Sequence, residues 1–281
     1  MLTLPFLDHT LDLPDDSEIV YDMSKDRIGD AISVLCILEH ACKLNHQLKI
    51  SVLYYARDDA EYSWINGIDL FSWSAWKPHK VYTQLPRNKM IFSSAYGHGF
   101  SIWNTLHRLN IHAKLQVPDG IDVTHKDFNV SMHVINAVGV RDKPYVSRRV
   151  LNMDKYENIG RELNKNKLSV TRLGAAYDRV KDFDLCVTDL TSKNLTLHET
   201  FVHIAKSNIF MGGDSGLTHA AGALGIPLIV EMDSVSKAAL GIAAITPELV
   251  TEIPYNCSFE THLTILHNHP LLRDKIGLTK V

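Results

Sequence analysis

The sequence lacks several features that would place the chain in a membrane or in a secreted fluid. No uninterrupted apolar run approaches the roughly 20 residues that span a bilayer. The N-terminus also lacks the basic and then apolar segments of a signal peptide. A net charge of −3 gives no general attraction to nucleic acid or to an anionic membrane surface. The sequence therefore predicts a cytoplasmic protein without a transmembrane segment.

Cysteine is scarce, and histidine shows no metal-binding pattern. The four cysteines, Cys36, Cys42, Cys186 and Cys257, form no C-x-x-C pair, so we expect reduced, buried thiols. No pair among the 15 histidines has the H-E-x-x-H context of a zinc enzyme. The sequence therefore predicts no metal site.

The rest of the composition is that of an ordinary globular protein, with 45% hydrophobic and 22% charged residues. Apolar strands alternate with amphipathic helices on both sides of residues 118–131, which are rich in Pro, Gly and Asp. Such alternation predicts parallel, doubly wound α/β sheets. We therefore predict two α/β domains, residues 1–125 and 126–281, with a ligand cleft between them.

The periodicities also predict individual elements. In the first half they indicate strands at 17–21, 48–56, 89–93 and 113–117, and helices at 28–44 and 99–109. In the second half they indicate strands at 132–137, 168–173, 186–190, 208–211 and 228–231, and helices at 154–164, 197–206 and 259–266. Residues 58–86, with Trp64, Trp73 and Trp76, fit neither period. They form either buried aromatic packing, which is favoured, or an acceptor-facing loop.

The most informative stretch is residues 207–233, where an apolar strand runs into the glycine-rich turn GGDSG and a short helix. Gly225 stands where a left-handed C-terminal cap belongs, and Pro227 stops the helix. A turn of this kind presents backbone N–H groups and the positive end of the helix dipole at one point, which favours binding of an anion. Asp214 and Ser215 are both candidates for the N-cap of the helix.

Residues 195–227 (LTLHETFVHIAKSNIFMGGDSGLTHAAGALGIP) resemble the C-terminal half of glycosyltransferase family nine, typified by ADP-heptose:lipopolysaccharide heptosyltransferases. The family hallmark, Asp-Ser/Thr-Gly with a following His, stands here at residues 214–219, and its Ala-Leu-Gly-x-Pro segment stands at residues 223–227. Residues 27–30 resemble the N-terminal Gly-Asp turn of the family. The resemblance implies the GT-B fold, in which two Rossmann-like domains face a cleft: an acceptor-side N-terminal domain and a C-terminal domain that binds the nucleotide sugar.

The same resemblance implies an activity. The expected enzyme is an inverting, metal-independent glycosyltransferase that moves heptose or another sugar from a nucleoside diphosphate sugar to a glycan or lipopolysaccharide-type acceptor. Asp30 takes the role of the catalytic base; its alternative is a first-turn carboxylate that interacts favourably with the helix dipole. Arg148 or Arg149 stands where a basic residue meets the donor phosphates, and Lys143 competes with them for that role.

The remaining predicted site residues surround the glycine-rich turn. The N–H groups of Ser215, Gly216 and Leu217 are expected to stabilise the departing diphosphate. Asp214 is expected to hold the donor sugar and His219 to reach a phosphate or the sugar. Glu199 contacts the ribose or the base, or else lies on a solvated helix face. The complete predicted donor site is Lys143, Arg148, Arg149, Glu199, Gly213, Asp214, Ser215, Gly216, Leu217 and His219, with Asp30 opposite and no metal.

This sequence departs from the family at two places near the donor, because Val150-Leu151 replace a Trp-Pro and Glu231-Met232-Asp233 replace a Phe-Gly. Two other functions stay open. One is a glycosyltransferase whose acceptor is a modified base in nucleic acid, which the lack of a basic stripe disfavours. The other is a non-catalytic module that binds a nucleotide sugar.

Overall fold

The computed structural model describes residues 17–23, 26, 28–54, 67–93, 102–124, 127–134, 150–175, 188–232 and 247–276. The strands are β1 (Glu18–Asp22), β2 (Lys49–Leu53), β3 (Val81–Tyr82), β4 (Met90–Ser93), β5 (Asn129–His133), β6 (Ser169–Leu173), β7 (Thr188–Asp189), β8 (Ile209–Gly212), β9 (Leu228–Met232) and β10 (Val250–Pro254). The helices are α1 (Ile28–Leu44), α2 (Gly67–Ser72), α3 (Ile102–Leu109), α4 (Met153–Lys165), α5 (Leu197–Ala205), α6 (Gly216–Ala223) and α7 (Phe259–Asn268).

The strands form two separate sheets within these residues. The first has the order β3-β2-β1-β4, and the second has the order β10-β9-β8-β5-β6-β7. All pairs of neighbouring strands in both sheets are parallel. The predicted α/β class with parallel sheets is therefore confirmed. The first sheet uses strands before residue 94 and the second uses strands after residue 128, while the domain boundary at 125/126 stays a prediction.

Two predictions about the middle of the chain are wrong. Residues 113–117 form no strand, because Leu115 donates its backbone N–H to the Ala223 carbonyl at 2.8 Å and Gln116 donates to the Trp73 carbonyl at 2.7 Å. These groups are thus bonded to the end of α6 and to the segment after α2 rather than to a sheet. The predicted linker at 118–131 also extends too far, since β5 already begins at Asn129.

The second sheet packs on both of its faces, as a doubly wound sheet does. Neighbouring side chains along a strand point to opposite faces. Ile209 and Ile229 belong to an apolar cluster with α4 and α7, whereas Phe210 and Val230 belong to a cluster that also contains α1, α5 and α6. Helix α1 follows β1 of the first sheet and packs directly against α6. The two sheets are therefore joined by contact between these two helices.

The tryptophan-containing segment contributes to this junction. Trp73 is completely buried; its Nε1–H donates to His198 Nδ1 at 3.2 Å, and its ring meets Phe201 of α5 edge-on. The interpretation of this segment as buried aromatic packing is confirmed for Trp73, whereas Trp64 lies outside the described residues. Among the helices that the structure describes, none is both long enough and apolar enough to cross a membrane.

Candidate functional site

The candidate site is built around the turn between β8 and α6. Strand β8 ends at Gly212, where a Cβ atom would lie 2.7 Å from the carbonyl oxygen of His133, so this close approach of two strands requires glycine. Ser215 is the N-cap of α6, and its Oγ accepts the Thr218 N–H at 3.2 Å. Gly225, just after the helix, has a φ of 77°. The left-handed position of Gly225 is therefore confirmed, and of the two N-cap candidates Ser215 has that role.

The start of α6 is suited to an anion. The first N–H groups of any α-helix have no acceptor within the helix, and those of Gly216 and Leu217 hold that position in α6. The helix dipole adds partial positive charge at the same end. Both features occur where β8 ends, at the carboxyl edge of the sheet, which is where open α/β sheets bind ligands.

The first turn of α1 lies against the first turn of α6. A Cβ at Gly29 would lie 2.7 Å from Cδ2 of His219, and a Cβ at Gly216 would lie 3.0 Å from Cβ of Ile28. His219 is buried by this contact, and its Nε2 lies 3.4 Å from Oδ1 of Asp214. Asp30 follows Gly29 in the same turn of α1 and is half-buried. The structure thus brings the turn that carries Asp30 against the turn that carries His219.

A set of side-chain hydrogen bonds surrounds the turn, and we call His133, Gly213, Ser215 and Thr218 the turn cluster. Nδ1 of His133 lies 2.9 Å from Oγ of Ser215, which lies 3.0 Å from Oγ1 of Thr218. Thr218 donates its hydroxyl to the Gly213 carbonyl at 2.5 Å. Sequence reasoning missed His133. No local signal in the sequence marks His133, because its position beside Gly212 follows from the parallel register of β5 with β8.

Glu199 is exposed in the first turn of α5 and takes part in a capping box. Its carboxylate accepts the backbone N–H of Thr196 at 2.7 Å and the hydroxyl of Thr196 at 2.9 Å. These two hydrogen bonds lower the pKa of Glu199. The predicted phosphate-binding residues Lys143, Arg148 and Arg149 lie outside the described residues.

A second buried polar group lies on the other face of the same sheet, and we call Lys155, Glu231, Cys257 and His262 the ion-pair cluster. The Lys155 ammonium lies 2.8 Å from each oxygen of the Glu231 carboxylate. Asn256 donates its backbone N–H to Oε1 of Glu231 at 2.9 Å. Nδ1 of His262 lies 3.8 Å from Oε2 of Glu231. Burial, and then the charge of Lys155, lower the pKa of His262 to about 3, so its ring is neutral at physiological pH.

The ion-pair cluster contains the types of atom that bind metals. A carboxylate oxygen of Glu231, the thiol of Cys257 and a ring nitrogen of His262 lie within 4.8 Å of one another. However, the Lys155 ammonium already contacts both carboxylate oxygens and lies 3.9 Å from the Cys257 sulfur. A cation of the protein itself therefore occupies the position that a metal ion would need. Glu231, one of the residues that the sequence analysis singled out, thus takes part in an internal ion pair.

The fold is that of the GT-B glycosyltransferases, with two parallel sheets and a turn-to-helix site at the edge of the second. No protein-family model matches the chain, and no curated protein matches it either. Solved structures do match it over most of its length.

Three of these structures show the relationship. The glycosyl transferase family 9 protein from Veillonella parvula DSM 2008 matches with a TM-score of 0.60 at 10% identity, over 89% of each chain. ADP-heptose lps heptosyltransferase II of E. coli matches with a TM-score of 0.60 at 12% identity, over 93% of this chain and 100% of that one. Heptosyltransferase TibC in complex with ADP-D-beta-D-heptose matches with a TM-score of 0.58 at 16% identity, over 90% of this chain and 66% of that one. The predicted GT-B fold and the resemblance to family nine are confirmed, and at these identities the similarity establishes the fold alone.

Proposed function

We propose that this protein is an inverting glycosyltransferase that moves a sugar from a nucleoside diphosphate sugar to a hydroxyl of a glycan or lipopolysaccharide-type acceptor, without an obligatory metal. One observation carries the proposal: the first turn of α1, with Asp30, lies against the first turn of α6, with its amide end and His219. Sugar transfer needs a base and a stabiliser of the leaving diphosphate. In this proposal the first turn of α1 supplies the base, and the first turn of α6 supplies the groups that stabilise the leaving diphosphate.

In the proposed reaction, Asp30 accepts the proton of the acceptor hydroxyl. The oxygen then attacks the anomeric carbon on the side opposite the diphosphate, so the new glycosidic bond forms as the bond from carbon to phosphate oxygen breaks. The leaving diphosphate gains negative charge, which the N–H groups of Ser215, Gly216 and Leu217 and the α6 dipole stabilise. Lys143 or the Arg148–Arg149 pair supplies the positive charge for the phosphates in this proposal.

Asp214 and His219 act together in this scheme. His219 is held between Gly29 of α1 and the Asp214 carboxylate, so its ring has a defined position between the two helices. Gly213 leaves the turn without a side chain where the diphosphate would approach. We assign Asp214 to the donor sugar and His219 to a phosphate or the sugar, and Glu199 to the ribose or the base.

The first donor to test is ADP-heptose, because the structurally similar TibC holds ADP-D-beta-D-heptose. Thermal denaturation in the presence of ADP-, UDP-, GDP- and CMP-sugars identifies the donor, since a ligand that binds only the native state raises the melting temperature. The donor is then incubated with acceptor glycans, with and without EDTA. We expect transfer with inverted stereochemistry in both conditions.

Three results would contradict the proposal or a part of it. Absence of a stabilising nucleotide sugar would remove the donor assignment. If the protein bound a nucleotide sugar but neither hydrolysed it nor transferred its sugar to any glycan acceptor, the protein would be the non-catalytic binding module instead. Transfer that stops in EDTA and resumes with a divalent ion would contradict the metal-independent mechanism alone.

A further inference from the structure

The hydrogen bonds of the turn cluster determine which atom carries each proton. The Gly213 carbonyl can only accept a hydrogen bond. The hydroxyl of Thr218, 2.5 Å away, therefore donates its single proton to that carbonyl. Ser215 Oγ lies 3.0 Å from Thr218 Oγ1. Because Thr218 has no second hydroxyl proton, Ser215 must be the donor in this bond.

The contact between Ser215 and His133 then has one possible direction. The only hydroxyl proton of Ser215 is used on Thr218, so Ser215 Oγ accepts from His133 Nδ1, 2.9 Å away. Ser215 Oγ also accepts the Thr218 N–H at 3.2 Å. One donated and two accepted hydrogen bonds use the full capacity of a hydroxyl group. The Ser215 hydroxyl therefore has no hydrogen bond left for a ligand, and His133 carries a proton on Nδ1.

We infer that His133 is a positioning residue of the proposed donor site: its Nδ1–H locks the Ser215 hydroxyl as the cap of α6, so that the diphosphate is bound by backbone N–H groups of the turn and not by that hydroxyl. This inference rests on the proposed function. Its own support is the proton assignment, together with the burial of His133 and the close approach of its carbonyl to Gly212. The strand contact fixes the backbone of His133, and the ring in turn fixes Ser215.

The mechanical consequence concerns the geometry of the anion site. Without the bond from His133, Ser215 Oγ has an unused lone pair and fewer constraints on its rotamer. The hydroxyl can then turn towards a bound phosphate and leave the Thr218 N–H without its cap. The first turn of α6 loses the fixed arrangement of N–H groups that a preorganised anion site needs.

Two substitutions of His133 separate its role as a hydrogen-bond donor from the effect of its size and shape. His133→Asn places an amide N–H near the position of Nδ1, whereas His133→Leu fills similar space without a donor. We expect His133→Leu to weaken binding of ADP, UDP or GDP, whichever the wild type binds, by about tenfold in calorimetric titration. His133→Asn should bind within about threefold of the wild type. Affinity for the matching nucleoside should be unchanged in both variants.

A spectroscopic measurement tests the proton assignment independently of any ligand. In protein labelled with ¹⁵N-histidine, the His133 signals, identified by their loss in His133→Asn, should show a proton on Nδ1. A ring protonated on Nε2 alone would overturn the inference. So would a His133→Leu protein that binds the diphosphate as tightly as the wild type, or a His133→Asn protein as weak as His133→Leu. If the wild type bound none of the three diphosphates, the proposed function itself would fail, and the ¹⁵N result would still decide the direction of the His133–Ser215 bond.

Discussion

The turn cluster and the ion-pair cluster lie at the carboxyl edge of the same sheet, on opposite faces, and both bury polar groups. In the turn cluster, side chains bond to one another and to the backbone, which leaves the amide end of α6 presented to the first turn of α1. In the ion-pair cluster, the Glu231 carboxylate is neutralised by Lys155 and accepts a further N–H from Asn256. The first arrangement presents backbone N–H groups to a neighbouring helix, whereas the second neutralises its charge internally, although within the described part of the chain Glu231 Oε2 and both ring nitrogens of His262 have no hydrogen-bond partner.

This difference shows that buried polar residues do not by themselves identify a functional site. What distinguishes the two clusters is charge: Glu231 has its own cation in Lys155, whereas the amide end of α6 carries partial positive charge that favours an anion. A buried ion pair whose charges neutralise each other contributes to the structure, and removal of one partner leaves an uncompensated charge. The variants below test this contrast, because those in the proposed active site around the turn should change activity or affinity and those in the ion-pair cluster should change stability.

Asp30→Asn should have the largest effect, and it should fall on catalysis. The amide keeps the shape of the side chain but cannot accept the acceptor proton, so we expect the transfer rate to fall about 10²- to 10⁴-fold. Donor binding and the melting temperature should stay close to those of the wild type. Steady-state kinetics with the donor found by thermal shift gives the rate. Glu39→Gln, further along α1 at a half-buried carboxylate paired with the exposed Lys43, is the matched control. Full turnover by Asp30→Asn would remove the base assignment.

Lys155→Met should have the largest effect on stability. It leaves the Glu231 carboxylate buried without its cation, and we expect the free energy of unfolding to fall by about 3–5 kcal/mol. The double variant with Glu231→Gln should recover most of this loss, because no charge is then left unpaired. Chemical denaturation measures both values. Lys165→Met breaks an exposed pair with Glu162 and should change stability by less than about 1 kcal/mol.

The outcome that contradicts this interpretation is a Lys155→Met protein as stable as the wild type. A loss of donor binding per folded molecule in the same variant would be equally informative. It would show that the ion-pair cluster supports the donor site across the sheet, and the contrast between the two clusters would disappear.

Sequence reasoning worked where the information is local. Helix α1 has the predicted bounds, and the turn before α6 was recognised because its glycines, its cap and its helix are adjacent in the chain. Residues 113–117 have the pattern of a strand, but their N–H groups bond to Ala223 and Trp73, which no local pattern specifies. Strand β10 was missed because it is a sheet edge in which Ile253 alone is buried.

The two clusters could not be assembled from the sequence for a related reason. His133 and Ser215 are 82 residues apart, and Lys155 and Glu231 are 76 residues apart. His133 meets Ser215 because β5 and β8 are neighbouring parallel strands that end at one edge of the second sheet, whereas Lys155 meets Glu231 because α4 packs on a face of that sheet. The replacement of the family's Phe-Gly at Glu231 was visible, but its partner Lys155 depends on how α4 lies on the sheet. Fold class is therefore predictable from periodicity, whereas contacts between distant strands and helices are not.

Protonation of His262 at low pH should have a smaller effect on the free energy of unfolding than Lys155→Met has. Its folded-state pKa of about 3 lies below its ordinary value of 6.5, so the unfolded chain binds this proton more readily. Stability is therefore highest above about pH 6.5 and is lost as the pH falls towards about 3. Between about pH 7.5 and about pH 5, this group lowers the free energy of unfolding by about 2 kcal/mol. His262→Leu should lose that much less than the wild type over this interval.

Chemical denaturation at several pH values measures the slope, with the exposed His46→Leu as control. The pKa of Glu18 is lowered to about 2 by its bonds to Lys89 and Ser51. Protonation of Glu18 therefore also removes stability as the pH falls, but at a lower pH than that of His262. An unchanged slope in His262→Leu would mean that the folded protein takes up the His262 proton as readily as the unfolded chain does. The assignment of a neutral His262 ring next to the Lys155–Glu231 pair would then be wrong.

Glu199→Gln should have the smallest effect and decides between two roles for one carboxylate. A Gln at this position can still accept from Thr196 through its amide oxygen, so the capping box is kept and the stability should stay close to that of the wild type. If the carboxylate binds ribose or base, nucleoside diphosphate affinity should fall about 3- to 10-fold in calorimetric titration, and we expect this fall. Glu260→Gln, an exposed first-turn carboxylate of α7, is the control. An unchanged affinity of Glu199→Gln for the nucleoside diphosphate would assign Glu199 to the cap of α5 alone. The proposed donor site would then consist of the turn before α6 and the residues facing it.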